Sequence, residues 1–128
     1  MKTDNQIKLD RAGGHMALSV NTMVELCHGL ALDSGWHEIP RENGTALMLI
    51  VSEVSEAMEG DRKNLNDDHL PHRKMTEVEL ADVVIRTFDF AGKMGFDLGG
   101  AIIEKLKYNQ IRADHKPENR NKEGGKSY

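Results

Sequence analysis

Thiols are almost missing from this chain. Cys27 is the one cysteine, so no internal disulfide can brace the fold. A lone thiol in an apolar helical pattern reads as a small buried hydrophobe in a reducing compartment. No run of ~18 apolar residues occurs, which excludes a membrane-spanning helix. Residues 1–14 lack the apolar stretch of a secretion signal, and the expected location is cytoplasmic. A basic excess is also lacking: 17 Lys and Arg face 21 Asp and Glu, a net charge of −4. Non-specific nucleic-acid binding needs the opposite balance, so neither nucleic acid nor membrane is an expected partner. Aromatic residues are 5% and hydrophobic residues 38% of 128 positions, against 30% charged. A core so modest is expected to be completed by a second copy of the chain.

What is present is helical periodicity. Val20, Met23, Val24, Cys27, Leu30 and Ala31 recur at three- and four-residue spacing and predict a first helix over 17–32, stopped by Asp33-Ser34-Gly35. A second helix is expected from an N-cap at Thr45 to about Glu59, with Gly60 and Asp61 as its stop. Its segment Ala46-Leu47-Met48-Leu49-Ile50-Val51 is apolar all round, which predicts burial on every side. Thr76 and Glu79 have capping-box spacing and open a third helix that ends before Gly95. Asp97 caps a fourth helix running to about Arg112. Strand patterns are weak throughout, so the fold class is all-α. Residues 1–16 read as a polar lead-in, with Ala12-Gly13-Gly14-His15-Met16 resembling a cloning remnant. Residues 17–112 read as the helical domain and residues 113–128 as a polar tail.

The chemistry lies in two pairs of acids. Glu53 and Glu56 are three residues apart, and so are Glu79 and Asp82. At ~100° per residue each pair points its carboxylates to one side of its helix. Val54, Ala57 and Met58 interleave with the first pair, which places these acids beside a core. Carboxylates held together out of bulk water repel one another and lose hydration. A hard divalent cation such as Mg²⁺ or Mn²⁺ relieves both costs. On the third helix Glu79, Asp82, Arg86, Asp89 and Lys93 form a narrow polar stripe in a wide apolar arc, and such a stripe faces a cavity or a sliver of solvent.

Glu53-Val54-Ser55-Glu56, followed after a loop by Glu79-Leu80-Ala81-Asp82-Val83, resembles the E-x-x-E…E-x-x-D signature of the all-α NTP pyrophosphatases. That superfamily contains the MazG proteins, the dimeric dUTPases, the dCTP pyrophosphatases and phosphoribosyl-ATP pyrophosphohydrolase. Gly35-Trp36 through Pro40-Arg41 looks like the lead-in of the MazG and dCTP pyrophosphatase branch. Gly95-Phe96-Asp97, with Lys105, Tyr108, Asn109 and Arg112, looks like its last helix. The similarity spans residues 17–112; the acidic, histidine-containing loop 60–75 and the tail depart from it. The resemblance implies a MazG-like bundle of four or five helices, completed as a homodimer or homotetramer. It implies that Glu53, Glu56, Glu79 and Asp82 bind Mg²⁺, with Mn²⁺ as a substitute. It also implies hydrolysis of (deoxy)nucleoside triphosphates to monophosphate and pyrophosphate, for pool control or house-cleaning, with Glu53 or Glu56 accepting a proton from the attacking water.

Lys105, Asn109 and Arg112 share one stripe of the fourth helix beside Tyr108, a pattern that suits phosphate oxygens or a solvated basic helix end. Trp36, the single tryptophan, either stacks on a nucleobase or plugs the bundle. His28 reads as a structural histidine, with a place in a base pocket as its alternative. His69 and His72 flank no cysteine and sit in a polar loop, so zinc is not expected there. Two other functions are kept in view: phosphoribosyl-ATP pyrophosphohydrolase, and a non-catalytic helical dimerisation module.

Overall fold

The computed structural model describes residues 1–112 and, beyond them, Glu118 and Gly124. The polar tail expected over 113–128 otherwise lies outside the described residues. Among these residues the fold is four α-helices with no named strand: α1 (Asp4–Asp33), α2 (Asn43–Lys63), α3 (Met75–Met94) and α4 (Leu98–Ile111). No helix is long and apolar enough to cross a membrane among the described residues.

Helix α1 starts well before the expected Ala17, and local chemistry explains why. Thr3-Asp4-Asn5-Gln6 is a capping box: Gln6 N donates to Thr3 Oγ1 at 3.2 Å and Thr3 N donates to Gln6 Oε1 at 2.9 Å. The box expected at Thr76 and Glu79 does not form. Helix α3 is capped at Lys74 without a side-chain bond, and the Thr76 hydroxyl instead donates to Ala57 O of α2 at 3.4 Å. Thr45 is likewise no N-cap, since α2 begins after Glu42. Gly60 does not stop α2, which runs on to Lys63. A Cβ at Gly60 would lie 2.7 Å from Met75 Cγ, so this glycine serves the close approach of α3. Asp97 does cap α4, accepting from Gly100 N at 2.9 Å.

Three helices end in one way. After α1, Trp36 N bonds back to Ala31 O and Gly35 N to Leu32 O, with Gly35 at φ 81°. The paired 6→1 and 5→2 bonds are a Schellman motif. Gly95 with Phe96 repeats it after α3, and Asn64 at φ 50° with Leu65 repeats it after α2. These motifs satisfy the last carbonyls and fix the direction in which each loop leaves. The loop 64–74 is also more ordered than its polar composition suggests. Asn66 and Lys74 form an isolated antiparallel bridge, and Asp67 Oδ2 accepts from His69 N and Leu70 N at 2.9 and 2.8 Å.

The chain divides into two compact units, one of residues 1–22 with 97–128 and one of residues 23–96. In the first, Gly99 N bonds to Asn21 Oδ1 at 2.8 Å and Asn21 Nδ2 to Asp97 Oδ1 at 2.7 Å, while Gly13 gives way to Ile103. In the second, α2 packs along α3. The core is thin: Val24, Cys27, Ala57, Ala91 and Ile103 are its buried hydrophobic residues. The apolar segment expected to be buried on every side is not, with Met48 62% and Val51 49% exposed.

Alanine normally stabilises a helix interior by ~1 kcal/mol over glycine. Gly29→Ala, where nothing lies within 4 Å of the added carbon, should therefore raise the melting temperature. Gly60→Ala should lower it, because overpacking against Met75 costs ~1–3 kcal/mol and exceeds the propensity gain. Thermal unfolding of both variants checks the assignment.

Candidate functional site

The acids and the α3 stripe all fall in the unit of residues 23–96. Helices α2 and α3 face each other, so the pairs three residues apart on each helix converge. Oxygens of Glu53, Glu56 and Glu79 lie within 4.8 Å of one another. Asp82 stands one turn beyond Glu79, outside that tightest group, on the wall of an adjoining cavity. Glu53 is the buried acid, 8% exposed. Its Oε1 accepts from Arg86 Nε at 2.6 Å.

One arginine against three carboxylates leaves the cluster short of positive charge. The Glu79 carboxyl is pushed up from 4.5 to about 7, first by burial and then by its hydrogen bonds to, and the charges of, Glu53 and Glu56. Burial and the charge of Glu53 raise Asp82 as well, partly opposed by Arg86. Glu53 moves the other way. Burial pushes it up, but the Arg86 hydrogen bond and charge, with hydrogen bonds involving Glu79 and Glu56, hold it below its ordinary range. The donor set is all oxygen, which matches a hard divalent cation rather than zinc. The carboxyl lifted to about 7 is a group that such a cation would ionise.

Beside the acids opens a cavity of about 500 Å³, within the size range of small-molecule sites. Glu53, Asp82, Arg86, Asp89 and Lys93 line it, together with Trp36, His37 and Arg41. The α3 stripe from Asp82 to Lys93 thus faces a cavity, and Glu79 does not line it. Trp36, delivered by the Schellman turn at Gly35, stands in the wall with Arg86 Cζ 5.4 Å and Arg41 Cζ 5.8 Å from its ring centre. Arg86 therefore joins the acid cluster to the aromatic wall. Farther along, Asp89 Oδ1 accepts from His28 Nδ1 at 2.8 Å and from His37 Nε2 at 2.7 Å.

The cations and aromatic predicted on the last helix belong to the other unit and are described within it. Lys105 Nζ lies 4.9 Å and Arg112 Cζ 5.7 Å from the Tyr108 ring centre. Asn109 Oδ1 is buried without a hydrogen-bond partner. Arg41, His37 and Asp89 were not among the residues predicted to form the site. Asp89 and Arg86 were visible as members of the α3 stripe. His37 and Arg41 follow Trp36 in a loop, where no periodicity betrays a direction. Comparison of the chain with protein-family models, with curated proteins and with solved structures found no match in any of the three.

Because Glu79 is more basic in the fold than in the unfolded chain, the native state holds its proton more tightly. That stability is present below pH 4.5 and is lost as pH rises through about 7. Metal-free protein should therefore melt at progressively lower temperature from pH 5 to pH 8. Glu79→Gln should flatten this slope, and Mg²⁺ should raise the melting temperature most at pH 8. Melting curves in chelator and in Mg²⁺ measure all three.

Proposed function

We propose that this chain hydrolyses (deoxy)nucleoside triphosphates to the monophosphate and pyrophosphate with the help of Mg²⁺, Mn²⁺ being able to substitute. The observation that carries this reading is the convergence of Glu53, Glu56 and Glu79 within 4.8 Å at the edge of a cavity walled by Trp36, Arg41 and Arg86. The reading agrees with the resemblance to the MazG and dCTP pyrophosphatase branch, and it is supported by three converging carboxylates lying next to an aromatic surface with fixed positive charge.

Glu53, Glu56, Glu79 and Asp82 would hold the cation, which when bound supplies charge neutralisation for the triphosphate and acidifies water. The protein's own residues do the rest. Glu56, exposed at the cluster's edge, is the carboxylate suited to take a proton from the water that attacks the α-phosphorus. Glu53, tied to Arg86, is the fixed member that sets the geometry. Arg41 and Arg86 present guanidinium groups to phosphate oxygens, and Trp36 offers its ring to the base. Phosphoryl transfer needs positioning and electrostatic stabilisation more than a protein nucleophile.

The same reading includes assembly. Leu47, Met48, Val51, Val54 and Met58 of α2 are all more than two-fifths exposed. An apolar strip of this length on one helix exceeds the scattered exposure of a monomer. A second copy covering it would bury apolar surface in the manner of a stable dimer. Light scattering at micromolar concentration should give a dimer or tetramer, and Met48→Glu should shift it toward monomer.

Activity is tested with a panel of NTPs, dNTPs and phosphoribosyl-ATP. Products should be monophosphate and pyrophosphate, formed with Mg²⁺ or Mn²⁺ and abolished by chelator. Glu56→Gln or Asp82→Asn should lower turnover a hundredfold or more, as losing ~3 kcal/mol of transition-state stabilisation does, while melting temperature in chelator holds or rises. Unchanged turnover with a clear loss of metal-free stability would reassign these acids to a structural role. Absence of turnover throughout the panel would leave the dimerisation module as the better account.

A further inference from the structure

The donor chemistry changes along α3. Around Glu53, Glu56 and Glu79 it is all oxygen. Two turns beyond Asp82, about 10 Å at 1.5 Å per residue, Asp89 meets two imidazoles. His28 Nδ1 lies 2.8 Å and His37 Nε2 2.7 Å from its Oδ1, and the donor atoms of the three residues lie within 4.8 Å of one another. A carboxylate oxygen only accepts, so both nitrogens aim their N–H at one spot. The rings meet edge-on, 5.0 Å apart at 71°, so they converge without stacking. Each donor is held by a different element: His28 by α1, His37 by the loop that leaves its Schellman end, Asp89 by α3. Gly92 lets His28 close on α3, since a Cβ there would fall 2.5 Å from His28 Cβ. All three belong to the unit of residues 23–96.

We propose that His28, His37 and Asp89 form a second metal site, one that takes a transition ion of the Zn²⁺ class (Zn²⁺, Co²⁺ or Ni²⁺) rather than Mg²⁺. Imidazole nitrogen suits these ions, whereas Mg²⁺ prefers oxygen donors in an octahedron. Bonds of about 2.0–2.1 Å in a tetrahedral site set neighbouring donor atoms roughly 3.3 Å apart. The 2.7 and 2.8 Å edges at Asp89 therefore need to open by only about half an ångström. Binding exchanges each N–H for a metal bond: the proton of His28 passes to its Nε2 and that of His37 to its Nδ1, the tautomers that metal-bound rings require. Two neutral rings and one carboxylate leave a divalent ion with one positive charge and a fourth position to fill. His37 and Asp89 line the cavity. Cys27 lines it too but stays outside the group of converging donors, so the fourth position opens to the cavity and its water, as in zinc sites with three protein ligands. This ion is not one of the hydrolytic set. Metals that share a phosphoryl group stand about 3.5–4 Å apart, far closer than Asp82 and Asp89 along α3. The site therefore does not depend on the triphosphate reading.

Full-length protein, stripped of metal with a chelator that is then removed, is titrated with Zn²⁺ and separately with Co²⁺, each in a large excess of Mg²⁺. Binding is followed by calorimetry, by the fluorescence of Trp36, which adjoins His37 in the chain, and by the visible absorption of Co²⁺. The wild type should take one transition ion per chain despite the Mg²⁺, give the Co²⁺ spectrum of a four-coordinate nitrogen and oxygen site, and melt at higher temperature with Zn²⁺. His37→Ala and Asp89→Asn should each weaken binding by about tenfold or more, since losing even a group that merely supports a ligand costs that much. His37→Asp, which returns a donor to the loop, should recover part of the affinity, and Glu79→Gln should leave it unchanged. Melting curves in chelator show whether each variant folds. If Asp89→Asn does not, His37→Ala, whose change lies in a loop, and the wild-type Co²⁺ spectrum decide. Were the three residues only hydrogen-bonded to one another, the wild type would bind neither ion in excess Mg²⁺, and that result overturns the proposal. So does Zn²⁺ binding that survives His37→Ala and Asp89→Asn: loss in Glu79→Gln would put the ion on the acid cluster, and loss in a His69→Ala, His72→Ala double variant would put it in the loop 64–74. Zn²⁺ binding that depends on His37 and Asp89, in a protein that hydrolyses no triphosphate, would support this site and sink the hydrolase.

Discussion

The Glu53–Arg86 pair is the interaction on which the second unit turns. A carboxylate so nearly buried is costly unless paired, and removing one partner of such a pair strands the other charge. Arg86 answers Glu53 across the α2–α3 packing, and its guanidinium lies near the face of Trp36. One side chain therefore ties together the register of two helices, the charge balance of the acid cluster and the position of the aromatic wall. Burial, and then the hydrogen bonds and charges of Glu53 and Glu56, make Glu79 hold its proton up to about 7. The cluster is arranged around a deficit of positive charge.

Geometry elsewhere serves that arrangement. The small residues Ala57, Gly60 and Ala91 are buried in the units' packing, and Gly60 and Gly92 sit where a larger side chain would collide with Met75 or His28. Close helix approach is what lets acids from two helices converge. The Schellman ends act on the loops: at Gly35 the left-handed residue turns the chain so that Trp36 and His37 arrive at the cavity. The large apolar residues lie mostly outside this framework, on helix faces that the chain itself leaves exposed. On α2 Glu53 shares the buried face with Ala57 and Gly60, while Leu47, Val51, Val54 and Met58 lie on a separate, exposed face.

Much of this was legible from single residues. The four helices follow from apolar spacing and glycine stops, since a helix repeats every 3.6 residues whatever surrounds it. The acid pairs on α2 and α3, and the stripe through Arg86 and Asp89, are consequences of the same period. Helix starts were harder. Thr76 and Glu79 satisfy the spacing of a capping box, yet tertiary partners claim both. Thr3 and Gln6 satisfy it too and do form one, ahead of a stretch whose polarity hides its helicity. Gly60 looked like a stop because composition does not reveal that Met75 needs the room.

The sequence by itself determined the helical class, the pairing of carboxylates on single helix faces and the turn chemistry at Gly35 and Gly95, because each depends on neighbours within one or two turns. Only the tertiary structure decided that Glu53, rather than its equals, is buried and bound to Arg86. It alone brought His28, His37 and Asp89 together from α1, a loop and α3, and left Asp82 on the cavity wall rather than in the tightest carboxylate group. These are contacts between residues far apart in the chain. They depend on how closely two helices approach and at what register, and no local period encodes either.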